Sequence, residues 1–139
     1  MRKIYVLGLF LIIAISSIGI VCAASEDIGG YTFNIPDGYK EVNSNESHQT
    51  VFTVVEKFFK NDKGDTLNIT VDTCDAGTRI TSLDPGPNFD NKTLAGHAGI
   101  YTPKSPTTNS PVFKFVTDDG SQQITIAASD ASCINKCLE

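Results

Sequence analysis

The feature that most constrains the fold is an alternating pattern on both sides of Asp119-Gly120. This pair suits the positive φ angles of a two-residue type I′ turn. A turn at that place sets Phe115 opposite Ile124 and Phe113 opposite Ile126. The residues between them then point to the other side and are mostly polar. The pattern therefore predicts an antiparallel hairpin with one apolar face.

A second hairpin is predicted from residues 50–59 and 66–74, which are rich in β-branched and aromatic side chains. The Asn61-x-x-Gly64 spacing between them suits a three-residue loop with Gly64 in the left-handed conformation. The implied register pairs Phe59 with Leu67 and Val55 with Val71.

This register has one cost, because it places Lys57 beside Ile69 on the apolar side of the hairpin. It also leaves Phe52 and Phe58 on the opposite side. A β-bulge would relieve part of the mismatch. We expect a second layer to cover the outward phenylalanines, and the alternative is an exposed apolar patch for a partner.

The rest of the chain adds two strands and one helix. Residues 30–35 alternate cleanly, and residues 92–101 resemble a strand interrupted by glycines, whereas residues 41–49, 75–90 and 102–111 have the composition of loops. Ser129 or Asp130 can cap a helix over residues 131–138. The sequence thus predicts one α+β domain at residues 28–139, with a mostly antiparallel sheet of about six strands and a short C-terminal helix.

Residues 1–24 have the pattern of an export signal. Arg2 and Lys3 precede a long apolar run, and small residues at Ala23 and Ala24 suit cleavage. A retained signal anchor is the alternative, because the run of 18 residues is near the roughly 17–25 that cross a bilayer. We therefore expect an extracytoplasmic domain, secreted or tethered at the cell surface, that meets the membrane only through this segment if it is uncleaved.

The charge balance limits the kind of partner. The chain has a formal net charge of −5, and removal of Arg2 and Lys3 with the signal would leave −7. Nucleic acids and anionic lipid surfaces reward clustered positive charge, and no basic run is present. We expect an unknown protein or a component of the cell envelope as the partner, and no nucleic acid.

The cysteines are the most promising candidates for a chemical role. Cys22 lies in the signal, which leaves Cys74, Cys133 and Cys137 as disulfide candidates. We expect Cys74 to bridge one of the two tail cysteines and so to tie the C-terminus to the sheet. Direct pairing of Cys133 with Cys137 requires a tail that is not helical.

The same cysteines support an alternative function in thiol-based redox chemistry or metal binding. Three thiolates and His97 would make a Cys₃His zinc set, although the Cys-x₃-Cys spacing lacks the usual paired knuckles. A redox site would more commonly show Cys-x₂-Cys at a helix N-terminus. We expect no cofactor and no catalytic residues, because neither His48 nor His97 belongs to a recognisable catalytic motif.

Three sequons could accept N-linked glycans in an exported chain: Asn45-Glu46-Ser47, Asn68-Ile69-Thr70 and Asn91-Lys92-Thr93. In the register proposed above, Asn68 lies on the outward face and is therefore accessible. Chance occurrence is the alternative, because Asn, Ser and Thr are abundant in this chain.

Two segments carry a resemblance to a known family. The export signal is followed by Gly-x-x-Phe-Asn-Ile-Pro-x-Gly-Tyr at residues 30–39, and Thr-Leu-x-Gly-x-x-Gly-Ile-Tyr follows at residues 93–101. With the two hairpins and the terminal helix, this order resembles small exported domains of unknown function from methanogenic archaea. The family departs from this chain in having more helix where residues 75–90 lie, and in its cysteines. The resemblance implies location and fold, and it transfers no catalytic residue.

The sequence as a whole favours a non-enzymatic secreted or surface-tethered domain with a structural or interaction role.

Overall fold

The structure is a computed structural model that describes residues 24–139. The predicted signal or anchor at residues 1–24 lies, except for Ala24, outside the described residues. In the part of the chain that is described, no helix has the length and apolar character needed to cross a bilayer.

The described residues contain nine strands and one helix, and every strand pair is antiparallel. In chain order they are β1 (Ala24–Ile28), β2 (Tyr31–Ile35), β3 (Lys40–Gln49), β4 (Phe52–Lys60), β5 (Thr66–Cys74), β6 (Asp90–Leu94), β7 (His97–Thr102), β8 (Val112–Val116), β9 (Gln122–Ala128) and α1 (Ala131–Leu138). Seven strands form one sheet in the order β3-β4-β5-β9-β8-β7-β6, and β1 and β2 form a separate two-stranded sheet. The predicted antiparallel sheet with a short C-terminal helix is confirmed, and the estimate of about six strands was too low.

The register of the β8–β9 hairpin is confirmed, but its turn is of another kind. Phe113 pairs with Ile126 and Phe115 with Ile124. Thr117 N donates to Gln122 O at 2.9 Å, which closes a four-residue loop, and within that loop it is Gly120 that has a positive φ, of 71°. A two-residue and a four-residue loop with the same centre give the same register, so the pairing does not depend on the turn type.

The β4–β5 hairpin has the predicted register and the predicted three-residue loop. Phe59 pairs with Leu67 and Val55 with Val71, and Gly64 has a φ of 87°. Lys57 faces the apolar side opposite Ile69 without any bulge in β4.

Lys57 is accommodated by two carboxylates. Its Nζ lies 2.5 Å from Glu26 Oε1 in β1 and 3.1 Å from Glu41 Oε1 in β3. Hydrogen bonds to Glu26 and then to Glu41 raise the pKa of Lys57 from its ordinary value. The charged side chain therefore joins the small sheet to the large one.

The β1–β2 sheet and α1 together cover one side of the large sheet, here called the inner face. The core between these two layers is apolar and consists of Ile28, Phe33, Ile35, Phe59, Leu67, Ile69, Val71, Phe113, Phe115, Ile124, Ile126, Ala128, Cys133, Ile134 and Cys137. The opposite side is called the outer face.

Three strands depart from the sequence predictions. Residues 25–27, which have the composition of a polar link, belong to β1, and residues 41–49 form most of the edge strand β3 and are not a loop. The strand expected at residues 92–101 is a hairpin, because Ala95 and Gly96 both have positive φ and turn the chain between β6 and β7.

The outer face is partly covered by the two long loops. Phe52 shares a cleft with Ile80 and Leu83, and Phe58 shares another with Thr108. Both phenylalanines are half-buried. The two long loops thus provide part of the expected covering layer.

Gly99 provides a test of the packing at β7. A Cβ at this position would lie 2.2 Å from Lys114 O and 2.8 Å from the Phe113 ring. We expect Gly99→Ala to lower the free energy of unfolding by about 2 kcal/mol or more, because the β7–β8 contact must open. Urea denaturation measures the loss. The control Ala98→Gly, at the exposed neighbouring residue, should cost only about 0.5–1 kcal/mol, and equal losses would contradict the steric account.

Candidate functional site

The C-terminal helix begins at a well-formed cap. The Asp130 carboxylate accepts a hydrogen bond from Ser132 N at 2.9 Å, and this bond lowers the pKa of Asp130. Asp130 is one of the two residues predicted as the cap. The helix then buries Cys133, Ile134 and Cys137 against the core.

Cys137 is enclosed in the core. Cys137 is 1 % exposed. Burial raises the pKa of its thiol to about 12, and Cys133 makes a smaller contribution in the same direction. A thiolate is the reactive and metal-binding form of cysteine. At neutral pH the Cys137 side chain is therefore a protonated, apolar packing group.

Cys133 is tied to Tyr39. The Tyr39 hydroxyl lies 3.4 Å from Cys133 Sγ, within hydrogen-bonding distance for sulfur. Burial, followed by this bond to Cys133, raises the pKa of Tyr39. Tyr39 follows the turn at residues 36–38, where a single aromatic residue makes no periodic pattern, and sequence reasoning did not identify it.

Tyr39 and Cys133 lie in a polar cleft between α1 and the β4–β5 turn. The cleft has a volume of about 570 Å³, and its charged lining residues are Asp37, Lys63, Asp65, Asp130, Lys136 and Glu139. Asp65 is partly engaged by Asn61, whose Nδ2 donates to Asp65 Oδ2 at 3.0 Å. The mixture of both charges suits polar contacts with a partner more than it suits one specific ion.

The expected bridge from Cys74 to the tail is not formed, and all three cysteines are free thiols. Leu67, at the start of β5, pairs with Ala128 just before the helix, whereas Cys74 ends β5. Seven residues of strand span roughly 23 Å, while bridged Cα atoms lie within about 7 Å. The strand direction therefore separates Cys74 from both tail cysteines.

A direct bridge between Cys133 and Cys137 does not fit either. Both residues lie within the α-helix Ala131–Leu138. Residues four apart on a helix have Cβ atoms about 5–6 Å apart, and a disulfide needs about 3.5–4.5 Å.

The two histidines lie apart from the tail cysteines. His97 stacks on Phe115 with ring centroids 4.4 Å apart, and its Nε2 lies 3.3 Å from the Tyr31 hydroxyl. His48 Nε2 lies 3.2 Å from Asp75 Oδ1 at the surface. The hypothetical Cys₃His set is not assembled, and residues 24–139 contain no group of three or more potential ligands arranged to hold a metal.

The sequon asparagines all lie on strands. Asn45 in β3 and Asn91 in β6 are exposed, while Asn68 in β5 is half-buried. Asn68 points to the outer face as predicted, but its Oδ1 is buried and has no hydrogen-bond partner among the described residues. Its accessibility is therefore lower than the sequence suggested.

Thiol reactivity should separate the three cysteines. With Cys22 replaced by Ser, we expect a disulfide reagent to modify partly exposed Cys74 quickly. Cys137 should react at least about a thousandfold more slowly, because its exposure requires unfolding. Cys133 is 6 % exposed and is bonded to Tyr39, so it should also react more slowly than Cys74. Cys74→Ser should remove the fast phase. Two or three fast thiols would show that the helix does not pack as described.

Alkaline pH should destabilise the fold through Cys137. Its folded pKa of about 12 exceeds the ordinary value of 9.0, so the folded state holds the proton more tightly. The stabilisation is complete below pH 9 and is lost as the pH rises toward 12, at a slope of at most about 1.4 kcal/mol per pH unit.

Urea unfolding from pH 8 to 11.5 measures this loss. Cys137→Ala should show a shallower decline than the natural chain, whereas Cys74→Ala should follow the natural chain. Parallel profiles for all three proteins would contradict burial of the Cys137 thiol.

Comparison with known proteins finds no matching family model, no similar curated protein and no similar solved structure. The resemblance to exported domains of methanogenic archaea stays a prediction.

Proposed function

We propose that the protein is a non-enzymatic domain, exported and then secreted or tethered at the cell surface, with a structural or interaction role. The observation that carries the proposal is the packing of the tail thiols. Cys133 and Cys137 hold the terminal helix against the core, and Tyr39 bonds to Cys133 at the cleft. The two tail cysteines, which are among the most reactive residue types in the chain, thus have a structural role.

The same packing weighs against the thiol-based alternative. Redox and metal chemistry both need accessible thiolates. Cys137 has a pKa of about 12, and Cys74 lies at the other end of β5.

The two ends of the domain differ in a way that bears on tethering. Ala24 pairs with Ile35, beside Pro36 in the lining of the polar cleft. A retained N-terminal segment would therefore join the domain at the cleft end. The opposite end, called the distal end, would face away from the membrane.

Four segments meet at the distal end: the β1–β2 turn and the segments at residues 48–51, 75–80 and 117–122. Asp75 N donates to Val51 O at 2.9 Å, Ile80 N to Gly120 O at 2.9 Å, and Gln122 Nε2 to Gly29 O at 2.7 Å. These bonds fix the loops before any partner arrives, which reduces the entropy lost on binding. We propose the distal end as the surface that contacts a protein or cell-envelope partner.

The turn at the distal end is held by hydrogen bonds to one carboxylate. Asp119 accepts hydrogen bonds from Ser121 and Thr117, and these bonds lower the pKa of Asp119 to about 2. The carboxylate is therefore ionised at neutral and mildly acidic pH, the form that accepts these hydrogen bonds.

Export is tested by the intact mass of protein from the membrane, the medium and the cytoplasm of cells that make the full chain. We expect a chain that begins near Ala24 in the medium, or a full-length chain in the membrane. Full-length protein confined to the cytoplasm would overturn the proposal.

Orientation is tested on the same cells with a maleimide that does not cross membranes. Cys74 ends β5 at the distal end and is partly exposed. With Cys22 replaced by Ser, we expect intact cells with tethered protein to be labelled once per chain, and Cys74→Ser to abolish the label. Cys133→Ser is the matched control and should leave the labelling unchanged.

A further inference from the structure

The three sequon asparagines lie on the same face of the large sheet. Asn45 pairs with Glu56, which pairs with Thr70, and Asn68 precedes Thr70 by two residues in β5. Side chains two apart on a strand share a face. Asn45 and Asn68 therefore both point to the outer face.

The same argument places Asn91 on that face from the other side of the sheet. Thr70 pairs with Thr125, Thr125 with Lys114, Lys114 with Ile100, and Ile100 with Asn91. This series of cross-strand neighbours stays on one side of the sheet. None of the three asparagines points into the layer of β1, β2 and α1.

Two of the three asparagines occupy the open edges. Asn45 lies in the middle of β3 and Asn91 in β6, and these strands are the first and last of the sheet. Each edge strand presents unpaired backbone groups to solvent, and such edges invite pairing with other chains. β3 has ten residues, so its edge is long.

Asn68 differs because it lies in a central strand. It is flanked by Phe58 in β4 and Ala127 in β9. Its Oδ1 is buried, and Val42 and Thr108 line the cleft around it. The folded chain therefore surrounds this amide on several sides, whereas Asn45 and Asn91 are exposed, with Asn91 at the wall of a surface cleft beside Leu83.

We propose that Asn45 and Asn91 carry N-linked glycans, which shield the two edges of the sheet, and that Asn68 remains unmodified. The inference rests on the proposed export, because glycan transfer takes place on exported chains. The donor is an oligosaccharide joined through phosphate to a lipid carrier. The Asn Nδ2 bonds to the anomeric carbon, the bond from that carbon to the phosphate oxygen breaks, the lipid phosphate leaves with the electron pair, and the amide gives up one proton.

The test uses the full chain in a host whose own exported proteins carry N-glycans. Intact mass and peptide mapping should find sugar on Asn45 and Asn91. Asn45→Gln and Asn91→Gln should each remove one glycan mass, and Asn68→Gln should leave the glycan mass unchanged.

Pro111→Thr is a positive control, because it creates a sequon at exposed Asn109 in the loop before β8. Sugar on Asn109 without sugar on Asn45 or Asn91 would overturn the inference and leave export intact. Sugar on Asn68 would overturn the distinction between the edges and the centre. A full-length cytoplasmic chain without sugar at any site would overturn export and the inference together, and an exported chain without sugar would overturn the inference alone.

Discussion

The fold depends on covering one apolar face of the sheet. The central strands β5 and β9 bury Leu67, Ile69, Val71, Ile124 and Ile126 on that face, and each such side chain contributes about 1.5–3 kcal/mol when fully buried. The β1–β2 hairpin and α1 provide the cover, from the two ends of the described chain. Lys57 lies on the same face, and the carboxylates of Glu26 and Glu41 make this position tolerable. The β1 strand therefore both buries apolar surface and neutralises the charge in it.

Strand register was the part of this structure that the sequence could predict. Both predicted hairpins pair as expected, although one of them has a four-residue loop. The centre of the turn determines the pairing, and the alternation of apolar residues determines which side is buried. Several loops share the same centre, so the turn type carries less information than the register. The cap at Asp130 was predictable for a similar reason, because it depends on neighbouring residues alone.

Features that depend on distant parts of the chain could not be predicted. β3 is an edge strand that the β1–β2 hairpin and α1 do not cover, so neither of its faces is buried. Its sequence therefore lacks the alternation of apolar and polar residues by which a strand is recognised. Residues 25–27 of β1 have the composition of a polar link, because the role of Glu26 is evident only with Lys57 beside it. The predicted disulfide between Cys74 and the tail was wrong because it depends on the direction of β5 relative to α1. That direction follows from the β5–β9 pairing. The cleft at Tyr39 likewise joins segments that are far apart in the chain.

The sequons show how far register alone can lead toward function. Pairing within hairpins gives the face of each asparagine, but it does not give the place of its strand in the sheet. That place separates Asn68, enclosed between neighbours on both sides, from Asn45 and Asn91 at the edges. The core and the elements that cover it occupy the inner face. Modifications and partners can therefore reach the outer face, the edges of the sheet and the ends of the domain. Glycans at the edges would limit pairing with other chains, and the hydrogen-bonded loops of the distal end would then be the part of the domain best suited to contact a partner.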